Sequence, residues 1–343
     1  MREGQAKEFE DDKATPPFVL VVILNWNNSE QTIATVETVL QQSYPRFRVL
    51  TIDNGSSAAQ VASLRGLSGE RVEVFEFEEN RGYTGGCNEG LRRGLEERAD
   101  YVWLLNSDAE VEDKNTLHSL VELAESDAKI GLVSPRLAEP GEGGSLNWCG
   151  GFCSMSPPLR DATSDPEVAR RWAEQYPDAG MVRGTALLVK SSLIRAIGMF
   201  DEKFFAYAED DDYSYRSSQA GYRNLVDEKC LVRHPDKNSI LDPFAIKPHV
   251  WYYAARNDYR FWRKHLGTLR ALRPCWWGFL KTLRDMRRCR GNDSLTDAML
   301  AGTWHGWTGR TGAYDPGYRM PGPLAALVWR YALWKDRSSS SRA

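Results

Sequence analysis

Between residues 18 and 134 the chain switches repeatedly between two hydrophobic rhythms, and that switching limits the folds open to it. Phe18-Val19-Leu20-Val21-Val22-Ile23-Leu24 is an unbroken apolar run, as expected for a strand covered on both faces. Residues 29–42 then set Ile33, Val36, Val39 and Leu40 at helical spacing, with Asn28 or Ser29 as the cap. Residues 48–52, 72–77, 101–105 and 130–134 predict four more strands, and residues 87–98 and 117–125 two more helices. A β-α-β-α order of this kind makes an α/β fold, a mostly parallel central sheet with helices on both faces. Ligands of such sheets bind at the carboxyl ends of the strands. The polar clusters Asn25 to Asn28, Asp53 to Ser56 and Asn106 to Asp108 fall there.

Beyond residue 140 the pattern loosens. Residues 139–151 are rich in glycine and predict a loop, 186–189 a strand, 191–197 a short helix and 226–232 a strand. From Tyr252 onward the chain reads as helical, basic and rich in tryptophan. Residues 1–17 read as a mobile leader and 336–343, with four consecutive serines, as a frayed tail.

With 343 residues, 42% hydrophobic and 27% charged, the chain is long enough to bury its own core, and wholesale disorder or a collagen-like repeat is excluded. A net charge of −3 argues against nucleic acid as the main partner. The longest aliphatic run is far shorter than the roughly 20 residues of a spanning helix, and with no basic n-region and apolar h-region at its start a secretory signal is not expected. Six cysteines, with only a lone Cys149-x-x-x-Cys153 pair, make neither a disulfide scaffold nor a convincing zinc site. They read as reduced and buried, and the expected location is the cytoplasm.

Several clusters carry chemistry. Asn106-Ser107-Asp108 follows a strand, where a carboxylate beside a carboxamide offers hard oxygen ligands to a divalent cation; the alternative is a strand-to-turn cap. Asp53-Asn54-Gly55-Ser56 is either a tight turn or a hydrogen-bonding site for a base or ribose. Residues 80–88, Asn-Arg-Gly-Tyr-Thr-Gly-Gly-Cys-Asn, read as a glycine-rich loop before a helix, suited to an anion or to a plain connection. Glu209-Asp210-Asp211-Asp212, flanked by aromatics, suits a general base whose pKa is raised by burial and like charge; an acidic helix start or a salt bridge to Arg216 is the alternative. His234 is either structural or a further metal ligand.

The order of Val21 to Asn27, Asp53 to Ser56, Asn80 to Tyr83 with Gly85 to Asn88, Leu105 to Asp108, Gly184 to Val189, Phe200 to Glu202 and Glu209-Asp210 resembles the family 2 glycosyltransferases of GT-A fold, and within them the bacterial rhamnosyltransferase-like branch. The resemblance covers about residues 18–265. It implies a Rossmann-like catalytic domain over 18–258, with a nucleotide-sugar half to about 135 and an acceptor half from 136, then a helical basic and aromatic region over 259–335. It implies inverting transfer from a nucleoside-diphosphate sugar, a dTDP- or UDP-sugar, assisted by Mg²⁺ or Mn²⁺. By position, Asn25, Asn27, Asp53, Asn54, Gly82, Tyr83, Gly86, Asn88, Asn106 and Ser107 would meet the nucleotide-sugar. Asp108, with His234, would hold the metal. Asp210, then Glu209, would be the base, and Arg183, Gly184, Asp211 and Asp212 would face the acceptor. Two departures stand out: Asn106 replaces the first acid of the DxD motif, and the acidic motif runs to four carboxylates. A nucleotidyltransferase would carry a basic glycine-rich loop directly after Phe18, and none is present. The remaining alternative is a nucleotide-sugar-binding or scaffold protein with a decayed site.

Residues 260–290 hold ten Lys/Arg and one acid, interleaved with Trp262, Trp276, Trp277 and Phe279. This stretch predicts contact with an anionic membrane surface at the inner face, or with the phosphates of a lipid-linked, glycan or small-molecule acceptor, or a seam between two copies.

Overall fold

The computed structural model describes residues 15–141, 143–235 and 242–340. The alternating half runs β1 (Val19–Asn25), α1 (Ser29–Leu40), β2 (Phe47–Asn54), α2 (Ala58–Arg65), β3 (Val72–Phe77), α3 (Gly82–Glu96), β4 (Tyr101–Asn106), α4 (Thr116–Glu125) and β5 (Ile130–Ala138). A smaller excursion follows: β6 (Leu146–Trp148), β7 (Gly150–Met155), β8 (Pro158–Thr163), α5 (Pro166–Gln175) and β9 (Gly180–Met181). The chain returns through β10 (Ala186–Lys190), α6 (Ser191–Ile197), α7 (Glu209–Gln219) and β11 (Arg223–Arg233). It finishes in α8 (Pro248–Arg288), α9 (Asp293–Thr308) and α10 (Gly322–Ser340).

The main sheet has the order β11-β5-β10-β4-β1-β2-β3, with β6 added beside β5. Its core is parallel, β2 and β4 both flanking β1 in that sense, while β10 runs antiparallel between β4 and β5. The sheet has two buried faces, and β1 shows why its sequence does not alternate. Val19, Val21 and Ile23 enter one apolar cluster with Tyr101, Trp103 and Leu105. Leu20 and Val22 enter the other with Val102 and Leu104. A strand packed on both sides gains from an apolar side chain at every position, about 1.5–3 kcal/mol for each large one fully buried.

α3 lies against the second face unusually closely. A Cβ on Gly86, Gly90 or Gly94 would stand 2.3, 2.5 or 2.3 Å from Leu24, Val22 or Val102. These glycines recur every four residues, one helix face, and they let the backbone sit directly on β1 and β4. The segment expected to be a glycine-rich loop is therefore the first turns of a helix, and Gly86 approaches the sheet rather than a ligand.

Other departures are local. α2 was not anticipated because only Leu64 is buried along it. The predicted loop at 139–151 contains β6 and the start of β7. The helix α10 continues through residues 336–340, where a frayed tail was expected; residues 1–14 and 341–343 lie outside the described residues. A boundary at 258/259 would cut α8 in two, and it would split an apolar cluster that joins Met181 and Phe204 to Tyr259, Phe261 and Trp262. All six cysteines are buried with free thiols. No described helix is long and apolar enough to cross a membrane.

Candidate active site

The carboxyl ends of β1 and β2 carry a closed polar network. Asn25 Nδ2 donates to Asp53 Oδ1 at 2.7 Å and to Ser56 Oγ at 3.1 Å. Asn25 Oδ1 accepts from the Thr32 hydroxyl at 2.8 Å, and Asp53 Oδ2 from the Ser56 backbone N–H at 2.9 Å. Asn27, at φ 51°, donates its backbone N–H to Ser56 Oγ at 2.8 Å and accepts from Ser57 N–H at 2.9 Å. The Asp53 turn and the Asn25 strand end are thus one unit, with Asp53 fully buried.

Asn54 and Asn88 are used differently from the expectation. Asn54 Oδ1 accepts the Arg81 N–H at 3.0 Å, and its amide donates to Asn80 Oδ1 and the Gly82 carbonyl. Asn88 bridges to both backbone groups of Phe200 and to Glu202. Both amide donors of each side chain are occupied, so these residues fix chain junctions instead of presenting groups to a nucleotide. Gly82, at φ 76°, leaves room for the Phe205 carbonyl, which a Cβ would meet at 2.5 Å. Tyr83 donates its hydroxyl to the Gly184 carbonyl at 2.8 Å.

At the end of β4, three donor groups converge. His234 Nε2 lies 3.2 Å from Asp108 Oδ1 and 3.2 Å from Asn106 Nδ2. The sequence separates His234 from this pair by more than a hundred residues. β11 brings it back, its N–H donating to the Ala138 carbonyl at 2.8 Å and its carbonyl accepting from Asn147 at 2.9 Å. Ser107 faces α1, its carbonyl accepting from Thr35 at 3.0 Å. The spacing fits a divalent cation. Ligands at right angles on an ion about 2.1 Å away stand about 3.0 Å apart. Among the described residues no group of three or more His, Cys, Asp or Glu side chains is placed to hold an ion. A carboxylate and an imidazole alone match the sparse protein shell that Mg²⁺ keeps when phosphate oxygens and water complete it.

The acidic motif opens α7, directly across from these groups. The connection is short: Asn106 N–H donates to the Thr185 carbonyl at 2.9 Å, and Gly184 N–H donates to Asp210 Oδ2 at 3.1 Å. Asp210 Oδ1 accepts the Asp211 N–H at 2.9 Å, so both Asp210 oxygens are oriented by backbone. Glu209 Oε2 is buried with no hydrogen-bond partner. Burial first, then the Asp210 charge, hold the Glu209 carboxyl well above its ordinary range, and Arg183 partly offsets them. The Tyr207 hydroxyl is pushed up to about 12 by burial and by the Glu209, Tyr253 and Asp108 charges.

The four carboxylates divide into two pairs. Asp211 bonds Arg160 at 2.8 Å. Asp212 is fully buried and held by Arg216 at 2.9 Å, Lys264 at 2.8 Å and His265 at 2.8 Å. Burial alone would raise the Asp212 carboxyl. The His265 hydrogen bond and the Lys264 and Arg216 charges outweigh it and pull it down to about 2. Asp212 therefore anchors α7 to α8 and does not face an acceptor.

The segment before α7 is strained, with Phe205, Tyr207 and Ala208 at φ 64°, 68° and 64°. Each such residue costs about 1–3 kcal/mol and persists only where its surroundings dictate it. Here they do. Asn257 Nδ2 donates to the carbonyls of Phe204, Ala206 and Tyr207 at 3.1, 2.7 and 2.7 Å. Arg256 donates to the Phe204 carbonyl at 2.6 Å and to Gly312 at 2.6 Å. From the other side, Thr84 N–H donates to the Phe205 carbonyl at 3.1 Å. Arg256 and Asn257 are both fully buried. Sequence reasoning missed them; an Arg-Asn pair inside an otherwise aromatic helical stretch was the available signal.

Known proteins resemble this chain in sequence and in fold. The family model "Glycosyl transferase family 2" matches residues 20–198, more than half of the chain. The chain belongs to glycosyl transferase family 2. It is a glycosyltransferase. The low-salt glycan biosynthesis hexosyltransferase Agl10 of Haloferax volcanii is 25% identical over 229 residues, 65% of this chain and 67% of that protein. The poly-beta-1,6-N-acetyl-D-glucosamine synthase of Staphylococcus aureus is 28% identical over 115 residues, where the match spans 33% of this chain and only 27% of the synthase. Among solved structures, the mannosyltransferase PcManGT of Pyrobaculum calidifontis, in complex with GDP-Man and Mn²⁺, superposes with a TM-score of 0.55 at 16% identity, covering 96% of this chain and 84% of that one. GalNAc-T7 with UDP, GalNAc and Mn²⁺ gives 0.53 at 16% identity, covering 80% and 55%. The shared fold is GT-A-like. The family match ends at residue 198, so Glu209, Asp210 and His234 lie beyond it.

Proposed function

We propose that this family 2 glycosyltransferase is inverting and metal-assisted, and that it moves a hexose, rhamnose by motif likeness, from a dTDP- or UDP-sugar to a hydroxyl of a lipid-linked, glycan or small-molecule acceptor. One observation carries the reading: the Asp108–His234 pair at the end of β4 and the Glu209–Asp210 pair at the start of α7 are joined through Thr185 and Gly184, whose backbone groups hydrogen-bond Asn106 and Asp210. Mn²⁺ and a nucleotide accompany both solved relatives, which supports a cation at Asp108 and His234. When bound, the ion supplies Lewis-acid neutralisation of the leaving diphosphate.

The chain's own residues do the rest. Asn25, with both amide donors occupied, orients Asp53, and the Asp53–Ser56 turn forms the base- or ribose-facing end. Tyr83 and Gly184 hold the wall beside the acidic motif. Asp210, fixed by two N–H donors, accepts the acceptor's hydroxyl proton. The acceptor oxygen then forms its bond to the anomeric carbon as the carbon–oxygen bond to the diphosphate breaks. The electron pair leaves on the diphosphate, and attack from the opposite face inverts the centre. Arg256 and Asn257 are positioning residues: both donate to the segment before α7, and Arg256 also ties it to the Gly312 carbonyl.

The test is a thermal-shift screen of nucleoside diphosphates and nucleotide-sugars, each with and without Mn²⁺ or Mg²⁺, followed by turnover of Asp210→Asn. A ligand that binds only folded protein raises the midpoint. The expected result is a metal-dependent shift with one nucleotide, retained in Asp210→Asn while its turnover falls about a hundred- to ten-thousandfold. Absence of any shift on folded protein, or wild-type turnover in the variant, would overturn the reading.

A further inference from the structure

α8 changes role at Gly267, whose φ of 71° interrupts its path. Before the kink its side chains clamp the active-site segment. After it, residues 268–284 carry four cations, Arg270, Arg273, Lys281 and Arg284, and no acid. Ala271, Cys275 and Leu283 of this stretch are buried and hold it to the core. On the outward side stand Leu269, Leu272, Trp276 and Trp277, exposed by 82%, 49%, 49% and 62%. Their spacing makes a single stripe along the helix, whereas Trp262, expected to join them, is buried.

The stripe continues onto α10. Trp276 and Phe279 pack on the Tyr331 ring. Leu327 and Leu324, on the same face of α10 by spacing, are themselves exposed. Large exposed apolar surface of this kind marks an interaction site. The cations decide the partner. A second copy meeting the stripe across a two-fold axis would set cation against cation. A bilayer with anionic headgroups accepts both parts, with tryptophan rings at headgroup level and Arg and Lys over the phosphates. We propose that this face docks the protein peripherally on an anionic lipid bilayer.

This goes beyond the transferase reading and does not rest on it, because the assay contains neither donor nor acceptor. The full chain is sedimented with vesicles of phosphatidylcholine alone and of phosphatidylcholine with phosphatidylglycerol. The expected result is binding to the anionic vesicles only, weakened by salt. Arg270→Gln with Arg273→Gln should lower partitioning about thirtyfold, the effect of two cations at such a surface. Leu269→Ser with Trp277→Ser should also lower it. Both variants should keep the wild-type melting midpoint, since these side chains face outward. Background binding to anionic vesicles overturns the proposal. So does unchanged partitioning of either variant, equal binding to neutral vesicles, or competition by free glycerol phosphate at matched ionic strength, which would indicate a phosphate site. A solution dimer that the Leu269/Trp277 variant converts to monomer, with no vesicle binding, would assign the face to self-association instead.

Discussion

At the scale of single residues, adjacent carboxylates in α7 have opposite environments, and pH separates them. Glu209 sits buried beside Asp210 with an unpartnered oxygen. A carboxyl raised in the fold binds its proton more tightly folded than unfolded. Its contribution to stability is full below the unfolded value of 4.5 and is lost as pH rises through the folded value. Glu209→Gln has no such slope, so the variant's melting midpoint should exceed that of wild type by a margin that grows with pH above about 4.5. A constant margin from acid to alkaline pH would contradict it. Asp212 works in the other sense. Lowered from 3.8 to about 2, it contributes stability that is complete above the unfolded value and disappears as pH falls through about 2. Asp212→Asn leaves Lys264, Arg216 and His265 without their shared partner. Denaturant titration at neutral pH should find it destabilised by about 3–5 kcal/mol, with a flatter acid limb than wild type.

At the scale of elements, the loop before α7 is shaped by its neighbours and not by its own sequence. Phe205, Tyr207 and Ala208 have side chains that disfavour positive φ, yet the carbonyls of Phe204, Ala206 and Tyr207 all converge on Asn257. Asn257→Ala removes the side-chain donor to the Ala206 and Tyr207 carbonyls, while Arg256 still serves Phe204. Unpaired buried carbonyls should cost about 1–3 kcal/mol in denaturant titration. If the clamp aims the acidic motif, kcat should fall further than the stability loss accounts for, while the nucleotide-induced thermal shift persists. Equal loss of both would make Asn257 purely structural. The same contrast explains what was legible in advance. β1 and β4 were readable because runs such as residues 19–24 serve one purpose, burial on two faces. The Asn25–Asp53 and Asn106–Asp108 ends followed from strand polarity. The glycines of α3 were misassigned because a glycine that admits a ligand and one that admits Leu24 are the same letter. Asp212 looked like Asp210 because its partners, Lys264 and His265, are more than fifty residues away.

At the scale of the whole molecule, the catalytic half and the helical C-terminal region share a core. Met181 and Phe204 pack with Tyr259, Phe261 and Trp262, and the same helix carries Arg256, Asn257, Lys264 and His265. A chain ending at residue 245 therefore exposes that cluster and loses the Lys264 and His265 partners of Asp212. It should melt well below the full chain and be cut readily by protease at low concentration; equal resistance of the two would show that the halves are separable. The segment matched by the family model, residues 20–198, carries the Asn25–Asp53 and Asn106–Asp108 strand ends. The acidic motif, His234 and the clamp come from the chain that follows.

The closeness of α3 to the sheet bears on how the molecule reaches this state. Gly86, Gly90 and Gly94 each weaken an isolated helix by about 1 kcal/mol relative to alanine, so residues 82–96 have little tendency to coil on their own. Their helix gains its support from β1 and β4, against which the bare backbone lies, and those strands must pair before it has anything to dock on. The first turn of α3 supplies Thr84 to the Phe205 carbonyl and Tyr83 to Gly184. The Thr84 and Tyr83 contacts therefore depend on the pairing of β1 and β4 beneath α3.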